Sequence, residues 1–374
     1  LFQPSGAGHT DSVSLRPDSK IAGQVGATFN DKVSAVLQVV SQHNYDNSWT
    51  PRVEWANVKY QATPGLSLRA GRFALPVFLL SESRYVGYAS PWVRPPVDVY
   101  DMLPITSGDG IDATYRNQIS GANNVLHAYY GNNQVSAPGG VKAKSNPGWG
   151  VNDSVEIGSL AVRAAYNSLN LDIQAASLGQ LVGGFSTLGT GLAGVPVPSF
   201  QTASAQALVL AQKYKLQGMK LSTVTLGATY DPGDWFLTGE ALELKGSGLL
   251  ANKTAWYVSG GYRFGSLTPY VTYSETKARI AAEPGVSAVG DPTTDAGIAA
   301  LNAGLQAAQR QLGYSQNTSS LGLRWDAVKN VAVKAQYDRI KLSPNSAGSL
   351  INVQPGFVGG GQVNLFTVAV DFVF

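Results

Sequence analysis

Residues 363–374 read VNLFTVAVDFVF, and this stretch decides the fold. Phe366, Val368, Val370, Phe372 and Phe374 alternate with Leu365, Thr367, Ala369, Asp371 and Val373. A period of two belongs to a strand, so one face is wholly apolar and the other is mixed, with a charge near its end. Such a strand fits a boundary between hydrocarbon and water better than the frayed terminus of a soluble protein.

The same design recurs upstream. DSKIAGQVGATF (18–29) sets Ile21, Val25, Ala27 and Phe29 against Lys20, Gln24 and Thr28. TVTLGATY (223–230) sets Val224, Leu226, Ala228 and Tyr230 against threonines. Fifteen such segments are expected, near 18–29, 32–42, 52–62, 66–73, 108–117, 124–131, 155–168, 171–178, 219–230, 235–245, 254–264, 267–277, 314–326, 331–342 and 363–374.

Short and long connections alternate between them. The short ones are Asn30-Asp31, Thr63-Pro64-Gly65, Ser120-Gly121, Asn170, Asp231-Pro232-Gly233-Asp234, Gly265 and 327–330, built from residues that suit tight turns. The long ones span 43–50, 74–107, 132–154, 179–215, 246–252, 278–312 and 343–361. Antiparallel strands crossing a bilayer have this rhythm, with turns on one side and loops on the other. Within 278–312, Ile298, Leu301, Leu305 and Leu312 recur at helical spacing behind Asp291-Pro292, a cap and first-turn pair. A weaker helix is expected near 203–213.

Aromatic residues near strand ends, among them Phe29, Tyr60, Tyr115, Tyr230, Trp235, Phe264 and Trp325, suit the headgroup level. Backbone groups in hydrocarbon must all be paired, so a sheet there closes on itself. The fold class expected is all-β: a single transmembrane antiparallel β-barrel over 1–374. Bacterial single-chain barrels usually have an even strand count, so one ascending strand is missing. Either residues 1–10 hold it, or it precedes this sequence.

Composition narrows the function. Charged residues make only 14 % of 374, glycines number 42, and no cysteine occurs. No apolar run is long enough for a spanning helix. No signal peptide opens the chain, so an exported protein would stand here in mature form. A net charge of +3 argues against a nucleic-acid partner. The three histidines, His9, His43 and His127, form no catalytic or metal-binding motif, so neither an enzyme nor a cofactor is expected.

PRVEWANVKYQATPGLSLRAGRFALP (51–76), a strand, a Pro-Gly turn and a strand closing in Gly-Arg-Phe, resembles the general porins of Gram-negative outer membranes. More loosely it resembles their phosphate-selective and dicarboxylate-type relatives. The C-terminal alternation ending in Phe374 resembles the assembly signal of that family, read by the barrel-assembly machinery, with Phe366, Val368, Val370, Phe372 and Phe374 matching. The resemblance implies a sixteen-stranded homotrimer in contact with lipid and lipopolysaccharide, passing small hydrophilic solutes passively.

A porin needs a wet lumen narrowed by an inward loop. The proline-stiffened 74–107, carrying Arg84, Arg94 and Asp98, is the leading candidate for that constriction, and 132–154 is its rival; either could instead sit on the rim. Parity turns Lys20, Lys59, Arg69, Arg116, Arg163, Arg263, Arg324 and Lys334 inward, together with Asp112, Asp172, Glu240, Asp326 and Asp338. The basic excess predicts a mild preference for anions such as small carboxylates. The alternative for each arginine is a neutral ladder of ion pairs. A structural or adhesive barrel closed by a plug is the competing function.

Overall fold

The computed structural model describes residues 13–374 apart from 45, 104, 138–139, 345 and 351–358. The strands are β1 (Lys20–Thr28), β2 (Val33–Gln42), β3 (Arg52–Gln61), β4 (Leu66–Ala74), β5 (Ser107–Ile119), β6 (Ala122–Asn132), β7 (Gln134–Ala137) and β8 (Val141–Ile157). They continue with β9 (Leu160–Gln174), β10 (Met219–Tyr230), β11 (Trp235–Gly246), β12 (Asn252–Tyr262), β13 (Leu267–Arg279), β14 (Gln316–Val328), β15 (Val331–Leu342) and β16 (Gly361–Phe372). Among the described residues they form one antiparallel sheet of sixteen strands. Fifteen follow one another along the wall, and β7 pairs only with the outer part of β8.

Turn chemistry fixes the short connections. Ser120 and Gly121 both have positive φ (50° and 85°), the two-residue geometry whose twist matches a hairpin. Asn330 (φ 66°) does the same work between β14 and β15.

The expected turn at Asn170 is corrected. β9 runs unbroken through Asn170, and the turn falls at Gly158-Ser159, where Gly158 has φ 57°. Residues 132–154 are accordingly no loop: they hold β7 and most of β8. Their Asn146-Pro147-Gly148 reads as a loop, but a register shift between Asn146 and Trp149 absorbs the proline, which can give no ladder hydrogen bond. The missing ascending strand, whether in residues 1–10 or ahead of this sequence, lies outside the described residues.

The long connections carry the helices. α1 (Val97–Tyr100) lies between β4 and β5. α2 (Ala176–Leu192) and α3 (Pro198–Lys213) lie between β9 and β10, and α4 (Pro292–Leu312) lies before β14. Asp291 caps α4 by accepting from the Thr294 amide at 2.9 Å. α2 is rich in glycine, a poor helix former. Its glycines are used in packing: Leu208 of α3 sits where a Cβ on Gly189 would lie, and Leu301 of α4 does so at Gly184.

One face of the wall is apolar and uncovered. Ile21, Val25, Val224, Leu226, Val271, Leu321, Phe366, Val368, Val370 and Phe372 are all exposed, and Phe374 completes the row. Aromatic pairs bracket this band: Tyr230–Trp235 (5.3 Å) and Tyr262–Phe264 (4.6 Å) near the short turns, Trp149–Tyr166 (5.2 Å) and Trp256–Tyr273 (5.4 Å) toward the loops. Trp256 and Tyr262 lie six residues apart on β12, roughly 20 Å along a strand. The two aromatic rows thus lie on the same outer face with apolar residues between them, the arrangement of interfacial girdles.

The lipid reading of this face predicts a depth dependence. Leu226→Arg, four residues from the Tyr230 girdle, should cost about 2–4 kcal/mol, against about 0–1 kcal/mol for Leu267→Arg at the girdle. Urea unfolding in lipid vesicles measures both. Equal costs would remove the hydrocarbon from the account.

Candidate functional site: the lumen and its inward loop

Residues 75–106 leave β4 and return to β5 through the inside of the wall. Loop backbone accepts from wall cations: Arg163 Nη2 reaches the Pro76 carbonyl (2.9 Å), Arg324 Nη1 reaches those of Tyr88 (2.7 Å) and Ser90 (3.0 Å), and Lys334 Nζ reaches Gly87 (2.7 Å) and Trp92 (3.0 Å). Loop amides are met by wall acceptors, Leu79 by Glu240 (2.9 Å) and Val93 by Gln336 (3.1 Å). The Trp92 indole donates to Ser259 (2.9 Å) and Thr272 (3.1 Å). These partners span β9 to β15, and Thr106 donates to Glu54 of β3 at 3.0 Å. A single loop touching strands this far apart requires a wall that curves around it.

The loop has a dry side and a wet side. Phe78, Trp92, Val99 and Tyr100 are buried, and Trp92 and Tyr100 meet Tyr257 of β12 at 6.0 and 6.3 Å. On the opposite side a cavity of about 680 Å³ remains, lined by Lys20, Arg52, Glu54, Arg84, Tyr85 and Asp18 among others. Here Glu54 is held by Arg52 and by Thr106, and Arg52 Nη2 donates to the Tyr85 hydroxyl at 2.6 Å. Asp18 is gripped by Arg94 at 2.6 and 3.0 Å. Lys20 and Arg84 have no carboxylate within ion-pair distance among the described residues; Arg84 bonds only the Tyr100 carbonyl, at 3.3 Å, and lies over its ring. Asp46, on the outer edge of the cavity, is capped by Ser48.

The remaining residues singled out by parity fall into different settings. Arg69 holds Asp112 at 2.8 Å, with His127 3.5 Å from the same carboxylate. Arg324 pairs with Asp326 and lies over the Tyr88 ring. Lys334 is fully buried and pairs with Asp371 at 2.7 Å. Asp338 is bound by Arg94 at 2.7 Å. Asp98 is fully buried and accepts from Ser274 and from Gln316 (2.6 Å). Asp172 accepts from the Gly218 amide beyond the outer end of β9. Lys59 is half-buried and Arg116 is exposed near a short turn. Arg263 lies just past β12 and forks onto Asp231 of the neighbouring turn at 2.7 Å, at the mouth instead of the midsection.

Strict alternation missed Arg52 and Glu54. On β3, Trp55 pairs with Gln38 and Val53 with Val39, so Glu54 is an extra residue, and the inward parity changes from even to odd there. The sequence carries the signal: the outward apolar positions change phase, from Val53 to Ala56, Val58 and Tyr60.

No family model matches the sequence, and no curated protein matches it. Solved structures share the fold. OmpF of Salmonella typhi, in complex with daunomycin, is 14% identical with a TM-score of 0.51, over 94% of this chain and 89% of that one. OmpT of Vibrio cholerae, an outer membrane protein in trimer form, is 13% identical at 0.50 over 94% and 90%. The outer membrane channel DcaP of Acinetobacter baumannii is 12% identical at 0.50 over 94% and 85%. The chain has the antiparallel barrel fold of these porins and channels.

Two outcomes follow from the buried carboxyl groups. The Asp112 side chain is fully buried, so Arg69→Met leaves a charge uncompensated and should cost about 3–5 kcal/mol, most of it recovered in Arg69→Met/Asp112→Leu. Urea unfolding of both variants tests this; a double variant as weak as the single one contradicts it. Burial pushes the Asp98 carboxyl above its ordinary value despite its hydrogen bonds to Ser274 and Gln316. A raised carboxyl contributes most to folded stability in acid, and that contribution is lost as pH climbs through the raised value. Asp98→Asn should therefore flatten the loss of heat resistance as pH rises from about 4, the ordinary carboxyl value. An unaltered pH profile would exclude Asp98 as its source.

Proposed function

We propose that this protein is a porin of a Gram-negative outer membrane, through which small hydrophilic solutes diffuse passively. One observation carries the reading: loop 75–106 fills only part of the lumen, leaving a polar cavity bounded by β1, β3 and the loop itself. In this reading the loop is the constriction. Arg84, on its wet side, and Lys20, opposite, are the cations that solutes meet, while Arg163, Arg324 and Lys334 hold the loop.

A mild preference for anions, small carboxylates among them, follows from the pairing pattern. Glu54 is paired with Arg52, and Asp18 shares Arg94 with Asp338, whereas Lys20, Arg84 and Lys142 line the cavity without a carboxylate at ion-pair distance among the described residues. A low-dielectric wall focuses such a field across a narrow passage. The exposed apolar row from Phe366 to Phe374 suits both lipid contact and recognition by the assembly machinery. Outward Gly23, Ala27, Ala35 and Ala56 favour close packing against a second barrel, and a homotrimer is the proposed assembly, as OmpT is found in trimer form.

Single-channel recording in planar bilayers tests the function. Open-channel steps are expected, with a reversal potential in a salt gradient on the anion side. Arg84→Glu should move that potential toward cations. A barrel without conductance steps would be a plugged one, and a cation preference in the parent would overturn the selectivity.

A further inference from the structure

Three rows of the ladder cross the outer face from β13 to β16 as the strands near the long connections. The first is apolar and exposed: Val271, Leu321, Tyr337 and Phe366 stand side by side. The next holds Tyr273, Ser319, Arg339 and Asn364, and the one beyond it Glu275, Asn317, Lys341 and Gln362. Tyr273 belongs to the loop-side aromatic girdle. Arg339 and Lys341 therefore point outward at headgroup level, on the edge of the apolar band.

On β11 and β13 the outward lysines Lys245 and Lys277 are neutralised on their own strand, by Glu243 at 3.6 Å and Glu275 at 2.8 Å. Glu275 also accepts from the Trp256 indole at 3.2 Å. Arg339 and Lys341 are exposed and have no carboxylate within ion-pair distance among the described residues. The adjoining connection, 343–361, contains no charged residue in its sequence. Arg339 Nε donates to Gln362 at 2.8 Å, and Gln362 donates in turn to Asn364 at 2.8 Å. That chain orients the guanidinium and leaves its terminal nitrogens open. A recess of about 830 Å³ lies against them, lined by Asn317, Ser319, Arg339, Lys341, Pro344 and Gln362 among others. Cations, a hydroxyl and amides face it, and no carboxylate lines it among the described residues.

We propose that this recess binds the phosphate of a lipid headgroup in the leaflet on the long-loop side. Arg339 offers a planar fork that matches two phosphate oxygens, and Lys341 adds a point charge beside it. Ser319 and Asn317 bring further donors from the neighbouring strand. The acyl chains of the same molecule lie over Leu321, Tyr337 and Phe366, in the apolar row directly adjoining. A soluble phosphate would use only the polar half of this surface, so the pairing of the two halves selects a lipid. The inference rests on the outer face of the barrel meeting lipid, and not on the channel being open.

Native mass spectrometry of the purified barrel in neutral detergent tests the inference. The probes are lipid A carrying its phosphates, the same lipid dephosphorylated, and inorganic phosphate. The parent should hold the phosphorylated lipid on the order of tenfold more tightly than the dephosphorylated one. Arg339→Gln and Lys341→Gln should each weaken that binding on the order of fivefold, and the double variant should no longer distinguish the two lipids. Lys245→Gln is the control: its charge is already paired, so binding should stay within about twofold of the parent. Where the double variant fails to fold, the two single variants decide. Equal binding of both lipids by the parent overturns the inference, as does parental binding in both single variants. Displacement of the lipid by millimolar inorganic phosphate also overturns it, in favour of a free-anion site. A lower oligomeric state in the double variant, with lipid binding unchanged, would make this face a contact between copies instead. Bound lipid is read without any current, so a barrel that shows no conductance still decides the site.

Discussion

Hydrocarbon offers no hydrogen-bond partner to a peptide group, and every feature of this chain answers to that constraint. It forces the crossing segments into strands whose amides and carbonyls meet in ladders from β1 through β16. It also sorts the side chains. Val224, Leu226 and Val271 can face outward because they need nothing from their surroundings, while Thr225 and Thr272, their neighbours in sequence, face the interior. The sheet then has a polar concave side, and whatever lies inside must satisfy itself there.

The inner loop meets the same requirement without a ladder of its own. Among the described residues between β4 and β5 the chain has only α1 and one short 3-10 turn at Gly87–Ala89, so most of their carbonyls have no regular partner. A loop inside a protein is costly unless such groups are met. The wall supplies side chains instead: Arg163, Arg324 and Lys334 bond five loop carbonyls between them. Much of the positive charge on the inner face is therefore structural. Lys20 and Arg84, by contrast, line the cavity and have no carboxylate within ion-pair distance among the described residues.

The periodic parts of the chain are legible in the order of the residues alone. Ile21, Val25 and the row from Phe366 to Phe374 announce their outer face by alternation, and Asp291-Pro292 announces the start of α4. What escapes is whatever breaks the period. The bulge at Glu54 reverses inside and outside on half of β3, and the shift around Pro147 hides most of β8 behind turn residues. α2 escapes for another reason, since Gly179, Gly183, Gly184, Gly189 and Gly191 lower its propensity, and only contact with α3 and α4 explains it. Whether a lumen cation meets solvent or a carbonyl is invisible to alternation, because parity gives a direction and not a neighbour. Lys20 and Lys334 look alike in sequence; only the fold buries one of them fully.

The placement of the loop partners along the chain also imposes an order in time. Leu79 meets Glu240 161 residues later, Asp98 meets Gln316 218 later, and Arg94 meets Thr367 273 later. Contacts so distant in sequence form late, after local hairpins. Until then Phe78, Trp92 and Tyr100 have no dry surface to occupy, and the half-made sheet has an empty middle. The connection from β4 to β5 can therefore come to rest only once strands as late in the chain as β15 and β16 stand beside it.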